Sequence, residues 1–143
     1  MKFSKNQWHE WPVRVYYEDT DAEGVVYFAN YLRFMERGRT EWLRERGVEQ
    51  DRLRAARGLC FVVTETDVRF RRPARFNDQL LVCSRMTDFG RARFGLEQNI
   101  HRAGDRELLV ASRCTAACVD ADQFRPRRIP DVLRSALVLE KPS

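Results

Sequence analysis

The chain has 143 residues, with 26 Lys and Arg against 21 Asp and Glu, a formal net charge of +5 and a hydrophobic fraction of 43%. That length fits one domain over residues 1–143, and the apolar content suffices for a core, which excludes global disorder. No apolar run approaches the roughly 20 residues of a membrane span, and MKFSKNQWHEW has no apolar stretch behind its lysines, so no secretory signal is expected and the expected compartment is the cytoplasm.

Val13, Val15 and Tyr17 alternate with Arg14, Tyr16 and Glu18, the period of a first strand. An acidic loop, Glu18 to Gly24, follows. From Ala29 to Arg46 the positions Tyr31, Phe34, Met35, Gly38, Trp42 and Leu43 recur at three- and four-residue steps, which predicts an amphipathic helix stopped by Gly47 at C′. Gly38 lies inside that stripe at a cost of roughly 1 kcal/mol relative to alanine, so another backbone is expected to approach closely there. Glu49 to Arg57 is mostly polar and reads as either a short helix or a loop.

After Gly58 the pattern becomes one of strands. Val62, Thr64, Thr66, Val68 and Phe70 are expected on one face of the first, which stops at Pro73; Leu80 to Met86, Ala92 to His101 and Glu107 to Asp120 follow. The connections PARFND, DFGR and RAGDR are short and carry turn residues, which predicts an antiparallel meander. The tail QFRPRRIPDVLRSAL ends in a short helix, with Pro130 near its first position and Asp131 in its first turn. The expected fold class is α+β, one antiparallel sheet with one long helix.

Cys60, Cys83, Cys114 and Cys118 are scattered without ligand spacing, so buried reduced thiols are expected rather than structural zinc or disulfides. The basic residues are nearly all arginine and are interleaved with acids, as in RTEWLRERG, which suits a solvated helix face better than a nucleic-acid stripe. No G-x-S-x-G elbow is present, and His9 and His101 are placed as surface residues, so a Ser or Cys triad has little support. Glu36 and Arg39 fall on one side of the helix, the spacing of an ion pair.

The loop Glu18-Asp19-Thr20-Asp21-Ala22-Glu23-Gly24 would, out of context, be a turn with Asx-type hydrogen bonds. It also imitates a calcium loop, with Asp19, Asp21, Glu23 and Gly24 at the first, third, fifth and sixth positions. Asn30, however, stands where a bidentate Glu is needed, and the preceding segment is strand-like. A different chemistry fits better. A carboxylate held beside a helix N-terminus can act on a carbonyl that the free N–H groups polarise, the arrangement of acyl transfer to water.

The run Y-x-D-T-D-A-x-G-V-V-Y-x-A-N-Y-L-x-F-M-E-x-x-R, from Tyr17 to Arg39, resembles the hotdog-fold acyl-CoA thioesterases of the 4-hydroxybenzoyl-CoA thioesterase type. The branch it is most similar to is the small bacterial thioesterase associated with the Tol-Pal cell-envelope system, and PARFND, DFGRA and FRPRRIP match that branch too. The resemblance implies a sheet wrapped around the helix, Asp21 as the catalytic carboxylate, and the Phe28 backbone N–H as the group that binds the thioester carbonyl. Gly24 would let the chain turn close to the ligand. Asn30 would order the loop, and Tyr31 would face either the acyl chain or the core.

Two positions depart from the pattern: Phe28 stands where the branch commonly has His, and Glu23, where Gly is usual, adds a negative charge beside Asp21. Rate or substrate range is therefore expected to differ. Asp21 would either attack the thioester carbon or activate a water, and with a thiolate leaving group neither route needs a metal or a cofactor. Arg72, Arg75, Arg91, Arg127 and Arg128 are candidate partners for the phosphates of coenzyme A. The implied partners are an acyl-CoA substrate and a second copy of the chain, in dimers joined sheet edge to sheet edge and often paired into tetramers. The active site would then lie between subunits, Asp21 facing the strand that begins near Cys60 of the partner subunit. Neither nucleic acid nor a membrane span is implied. The alternative, motivated by Phe28, Glu23 and the charge of +5, is a hotdog module that binds an acyl carrier protein, an envelope protein or nucleic acid without turnover.

Overall fold

The computed structural model describes residues 8–138. Its elements run β1 (His9–Arg14), α1 (Phe28–Glu45), α2 (Gln50–Arg57), β2 (Leu59–Phe70), β3 (Gln79–Phe89), β4 (Arg93–Arg102), β5 (Leu108–Asp120) and α3 (Asp131–Leu137). All strand pairs are antiparallel, in the order β1-β3-β4-β5-β2, and the sheet carries α1 on one face, the hotdog arrangement that the motif implied. Among the described residues no helix is long and apolar enough to cross a membrane.

The helix α1 forms where the apolar stripe placed it. Tyr31, Phe34, Met35, Gly38, Trp42 and Leu43 are all buried against the sheet. Each large apolar side chain so buried contributes about 1.5–3 kcal/mol. The helix stops as expected: Gly47 adopts φ 83°, its N–H donates to Arg44 O, and the Val48 N–H reaches back to Leu43 O at 2.9 Å. That pair of bonds is a Schellman motif, and the apolar contact that goes with it joins Val48 and Leu43 in the core.

Below the middle of α1 the sheet presents a row of polar residues, Ser84, Gln98 and Ser112, each nearly inaccessible. One apolar cluster lies on either side of this row, around Phe34 and Ile100 at one end and around Trp42 and Phe94 at the other. Gln98 Nε2 donates to Met35 O at 3.0 Å and to Ser84 Oγ at 2.9 Å, and Ser112 Oγ donates to Gln98 O at 2.7 Å. The row is therefore satisfied, as buried polar groups must be. Gly38 sits over it. A Cβ there would meet Val82 Cγ1 at 2.5 Å and Gln98 Nε2 at 3.3 Å, so the close approach is to side chains of the sheet rather than to a backbone.

Three expectations are corrected. Only two of the three short connections make hairpins: β2 lies at the far edge beside β5, so PARFND crosses the end of the sheet to β3 instead of turning back. Three interstrand steps, about 14 Å, are within reach of eight residues. Second, a bulge between Val63 and Glu65 splits the expected face of β2. The partners of Thr66, Val68 and Phe70 are the inward-facing Cys114, Ser112 and Val110, whereas Val62 and Thr64 belong to the other alternation. Third, β1 ends at Arg14, and Tyr17 opens a 3-10 turn, Tyr17–Asp19, with its ring exposed and stacked on Phe76 at 3.8 Å. The tail helix is as expected, with Pro130 beside its first position as N-cap and Asp131 in its first turn. The stretch from Gln50 to Arg57 is a helix, ended by Gly58 at φ 65°.

Candidate active site

The acidic loop is a tight turn clamped on both sides. Asp21 N–H donates to Val25 O and Gly24 N–H returns to Asp21 O, with Gly24 at φ 80°, a conformation that glycine adopts without strain. The Thr20–Val26 bridge and the Tyr27 N–H to Asp19 O bond close the base of the turn. Asp21 is exposed at its tip, and its Oδ1 accepts the Glu23 N–H at 2.9 Å. The Asx-type bond is thus present, and it fixes the carboxylate rather than consuming it, since a carboxylate has acceptor sites to spare.

Asp19 behaves differently. It is 7% exposed, accepts the Tyr16 N–H at 2.8 Å, and receives Asn30 Nδ2 at 2.7 Å on its other oxygen. Asn30, in the first turn of α1, thereby orders the loop from the helix side. Nothing in the residue types distinguishes the two acids; burial does.

The helix begins at Phe28 after Tyr27, an extended N-cap with no side-chain cap bond. Among the described residues no group accepts the Phe28 or Ala29 N–H, so both remain available at the positive end of the helix dipole. The Phe28 ring is 67% exposed and packs on Phe70 at 4.8 Å, and Phe70 packs in turn on Tyr31 at 5.6 Å. Phe70, at the end of β2, is a neighbour that strand periodicity alone could not attach to the helix. Tyr31 is 2% exposed, within the core, and its Oη accepts the Ala74 N–H at 2.9 Å. Burial pushes its phenol up from the usual range. Since the Val26 N–H donates to Ala74 O at 2.8 Å, the crossover segment is joined both to the exit of the loop and to the first turn of α1.

The candidate phosphate-binding arginines fall into two groups. Arg72 and Arg75 lie at the end of the sheet near the acidic loop; Arg75 bridges Val25 through its backbone, and Arg72 Nε pairs with Glu107 at 3.0 Å. Arg91, Arg127 and Arg128 sit beyond the opposite end of β3, where Ile129 N–H donates to Arg91 O, and Arg127 and Arg128 pair with Asp120 and Asp131. Within one chain the five do not form a single cluster. Arg39 does not pair with Glu36: its Nη1 donates to Gln98 Oε1 at 3.1 Å, while Glu36 accepts Thr40 Oγ1 at 3.2 Å. His9 is not the surface residue expected: its side chain is only 9% exposed beside Glu45, whereas His101 is partly exposed with Nδ1 3.1 Å from Arg106 O.

A sheet that curls round one central helix in this strand order is a hotdog fold, the architecture of a large class of thioesterases. The chain belongs to the thioesterase-like superfamily, whose family model matches residues 15–137. It is 42% identical over 120 residues, 84% of this chain and 88% of the relative, to the acyl-CoA thioester hydrolase YbgC of Escherichia coli O6:H1. To the acyl-CoA thioesterase YbgC of Haemophilus influenzae it is 39% identical over 127 residues, 87% of this chain and 90% of the relative. The crystal structure of a probable thioesterase from Bartonella henselae superposes with a TM-score of 0.82 at 38% identity, covering 87% of this chain and all of that one.

Proposed function

We propose that the protein hydrolyses acyl-CoA thioesters to free acid and coenzyme A. The observation that carries this reading is the exposed Asp21 carboxylate, fixed on a turn whose base leads directly into the uncapped N-terminus of α1. The thioester carbonyl would accept from the Phe28 N–H, where developing negative charge is stabilised, and Asp21 would attack the carbon or take a proton from water. Gly24, Asn30 and Tyr31 would act by holding the loop and the first helical turn in place. The identity to relatives named as acyl-CoA thioester hydrolases supports the substrate class.

The working unit would be a dimer or a dimer of dimers. β2 is a 12-residue edge strand with one side unpaired among the described residues, and pairing with a second copy would remove that edge and set Asp21 against β2 of the partner subunit. Arginines from the two ends of the sheet could then meet around one coenzyme A. The cytoplasm is the proposed compartment.

Release of free coenzyme A from a panel of acyl-CoAs tests the reading, with Asp21→Asn as the control. Activity should collapse in the variant while its melting temperature holds; equal rates would refute the assignment. If neither protein turns over but one binds acyl carrier protein, the binding-module alternative gains. A nucleic-acid partner would show itself by affinity that falls steeply with salt.

A further inference from the structure

Between the middle of α1 and the first half of β2 lies a cleft of about 350 Å³. Phe61, Phe94 and Leu96 give it apolar walls, and Glu36, Arg39 and Thr40 supply its polar side from α1. Arg39 turns inward here. Among the described residues it forms no ion pair, and its Nη1 is anchored on Gln98, itself 1% exposed and fixed by Met35 O and Ser84. A guanidinium has five N–H donors, so the Gln98 anchor, with the Cys114 thiol also beside Arg39, orients it and leaves donors for a ligand. Glu36 is an acceptor on the same wall, held by Thr40.

A donor beside an acceptor in an apolar cleft matches a hydroxyl, which can accept from Arg39 and donate to Glu36. A plain alkyl end would cover Arg39 without satisfying it, and a carboxylate would gain Arg39 but meet the charge of Glu36. We propose that Arg39, anchored by Gln98, is a specificity-determining residue that selects acyl groups bearing a hydroxyl away from the thioester, with this cleft as their seat. The proposal rests on the acyl-CoA reading above. Glu36 is eight residues along α1 from Phe28, about 12 Å, and the cleft opens along the unpaired edge strand through Val62 and Val63. In an edge-to-edge dimer the acidic loop of one subunit would face the cleft of the other.

The test compares kcat/KM for matched acyl-CoA pairs, alkyl and terminally hydroxylated, with four, six and eight carbons. The wild-type oligomer is set against Arg39→Met, Arg39→Lys and Glu36→Gln. The wild type should prefer the hydroxylated member at one length by tenfold or more. Arg39→Met should abolish that ratio, Arg39→Lys should restore part of it, and Glu36→Gln should shift selection toward the matching terminal carboxylate.

A wild-type ratio within twofold at every length overturns the proposal, as does a lower rate in Arg39→Met with the ratio unchanged, which is what a purely structural Arg39 would give. Preference of the wild type for the terminal carboxylate overturns the choice of hydroxyl. Should Arg39→Met fail to fold, the wild-type ratio and Arg39→Lys still decide. If no acyl-CoA is hydrolysed, the activity reading has failed, and the cleft is judged by saturation-transfer NMR with 6-hydroxyhexanoate and hexanoate. Binding selective for the hydroxy acid and lost in Arg39→Lys or Arg39→Met supports the site; equal binding, or none, overturns it.

Discussion

Asn30 donates from Nδ2 to Asp19 Oδ1 at 2.7 Å, so the first acid of the D-T-D run is buried and satisfied while the second, Asp21, is left at the exposed tip. The two carboxylates, two residues apart, are in this way given separate environments.

Exchanging each acid for its amide should have separate consequences. Asp19→Asn must turn an NH₂ toward either Tyr16 N–H or the Asn30 amide, leaving a buried donor unmatched, and should cost about 1–3 kcal/mol. Asp21→Asn keeps an oxygen for the Glu23 N–H and should stay within about 0.5 kcal/mol of wild type, yet lose roughly 10²–10⁴ in kcat. Thermal melts beside a coenzyme A release assay check both.

Gly38→Ala should destabilise in spite of its better helix propensity. The added methyl would lie 2.5 Å from Cγ1 of the fully buried Val82, so either α1 or β3 must shift. Overpacking of this kind costs about 1–3 kcal/mol, more than the roughly 1 kcal/mol of propensity gained. Gly38→Ala with Val82→Ala should recover part of the loss, read by denaturant titration of single and double variants.

Sedimentation should find a dimer or larger, with specific activity falling as dilution populates the monomer. A monomer of full activity would contradict the interfacial site. The same dilution series run on Asp21→Asn should show unchanged association.

Acidification should weaken the fold through His9. Burial is the main cause of its lowered pKa, opposed by Glu45, Glu41 and Glu10 and reinforced by Arg46. The unfolded chain therefore binds the proton more readily than the folded one. Stability is full above the ordinary value of 6.5, falls as pH drops from there through the folded pKa, and levels off below it. Melting temperatures between pH 7.5 and 5 should fall for wild type and fall less for His9→Phe.

The thiols should be silent in the native state. Burial pushes Cys83 and Cys118 up to about 11, and Cys60 and Cys114 are buried as well. Ellman's reagent at pH 8 should count less than one thiol per folded chain and all four in guanidinium.

What could be read from the residues was local. The stripe of α1 and its stop at Gly47 depend on neighbours three to five positions away, and the acidic loop on a continuous motif. What could not be read depends on distant partners. Whether β2 is central or at the edge is decided by β5, and the bulge at Thr64 shows only against the spacing of Cys114 to Ala117. Arg39 is drawn from its helical neighbour Glu36 by Gln98, 59 positions away. Asp19 and Asp21 look alike until Asn30 folds over one of them.

The seat of Gly38 above the polar row also acts as an index mark. Apolar surfaces tolerate sliding, because one methyl group replaces another, whereas Gly38 alone in α1 lacks the Cβ that would strike Val82 and Gln98. A slip by one turn would bring a side chain where Gly38 now clears Val82 and Gln98, and would carry the Phe28 N–H about 5.4 Å away from the tip of the acidic loop. The close fit of Gly38 over Val82 and Gln98 thus sets the distance between a carboxylate and a backbone donor at the end of the sheet.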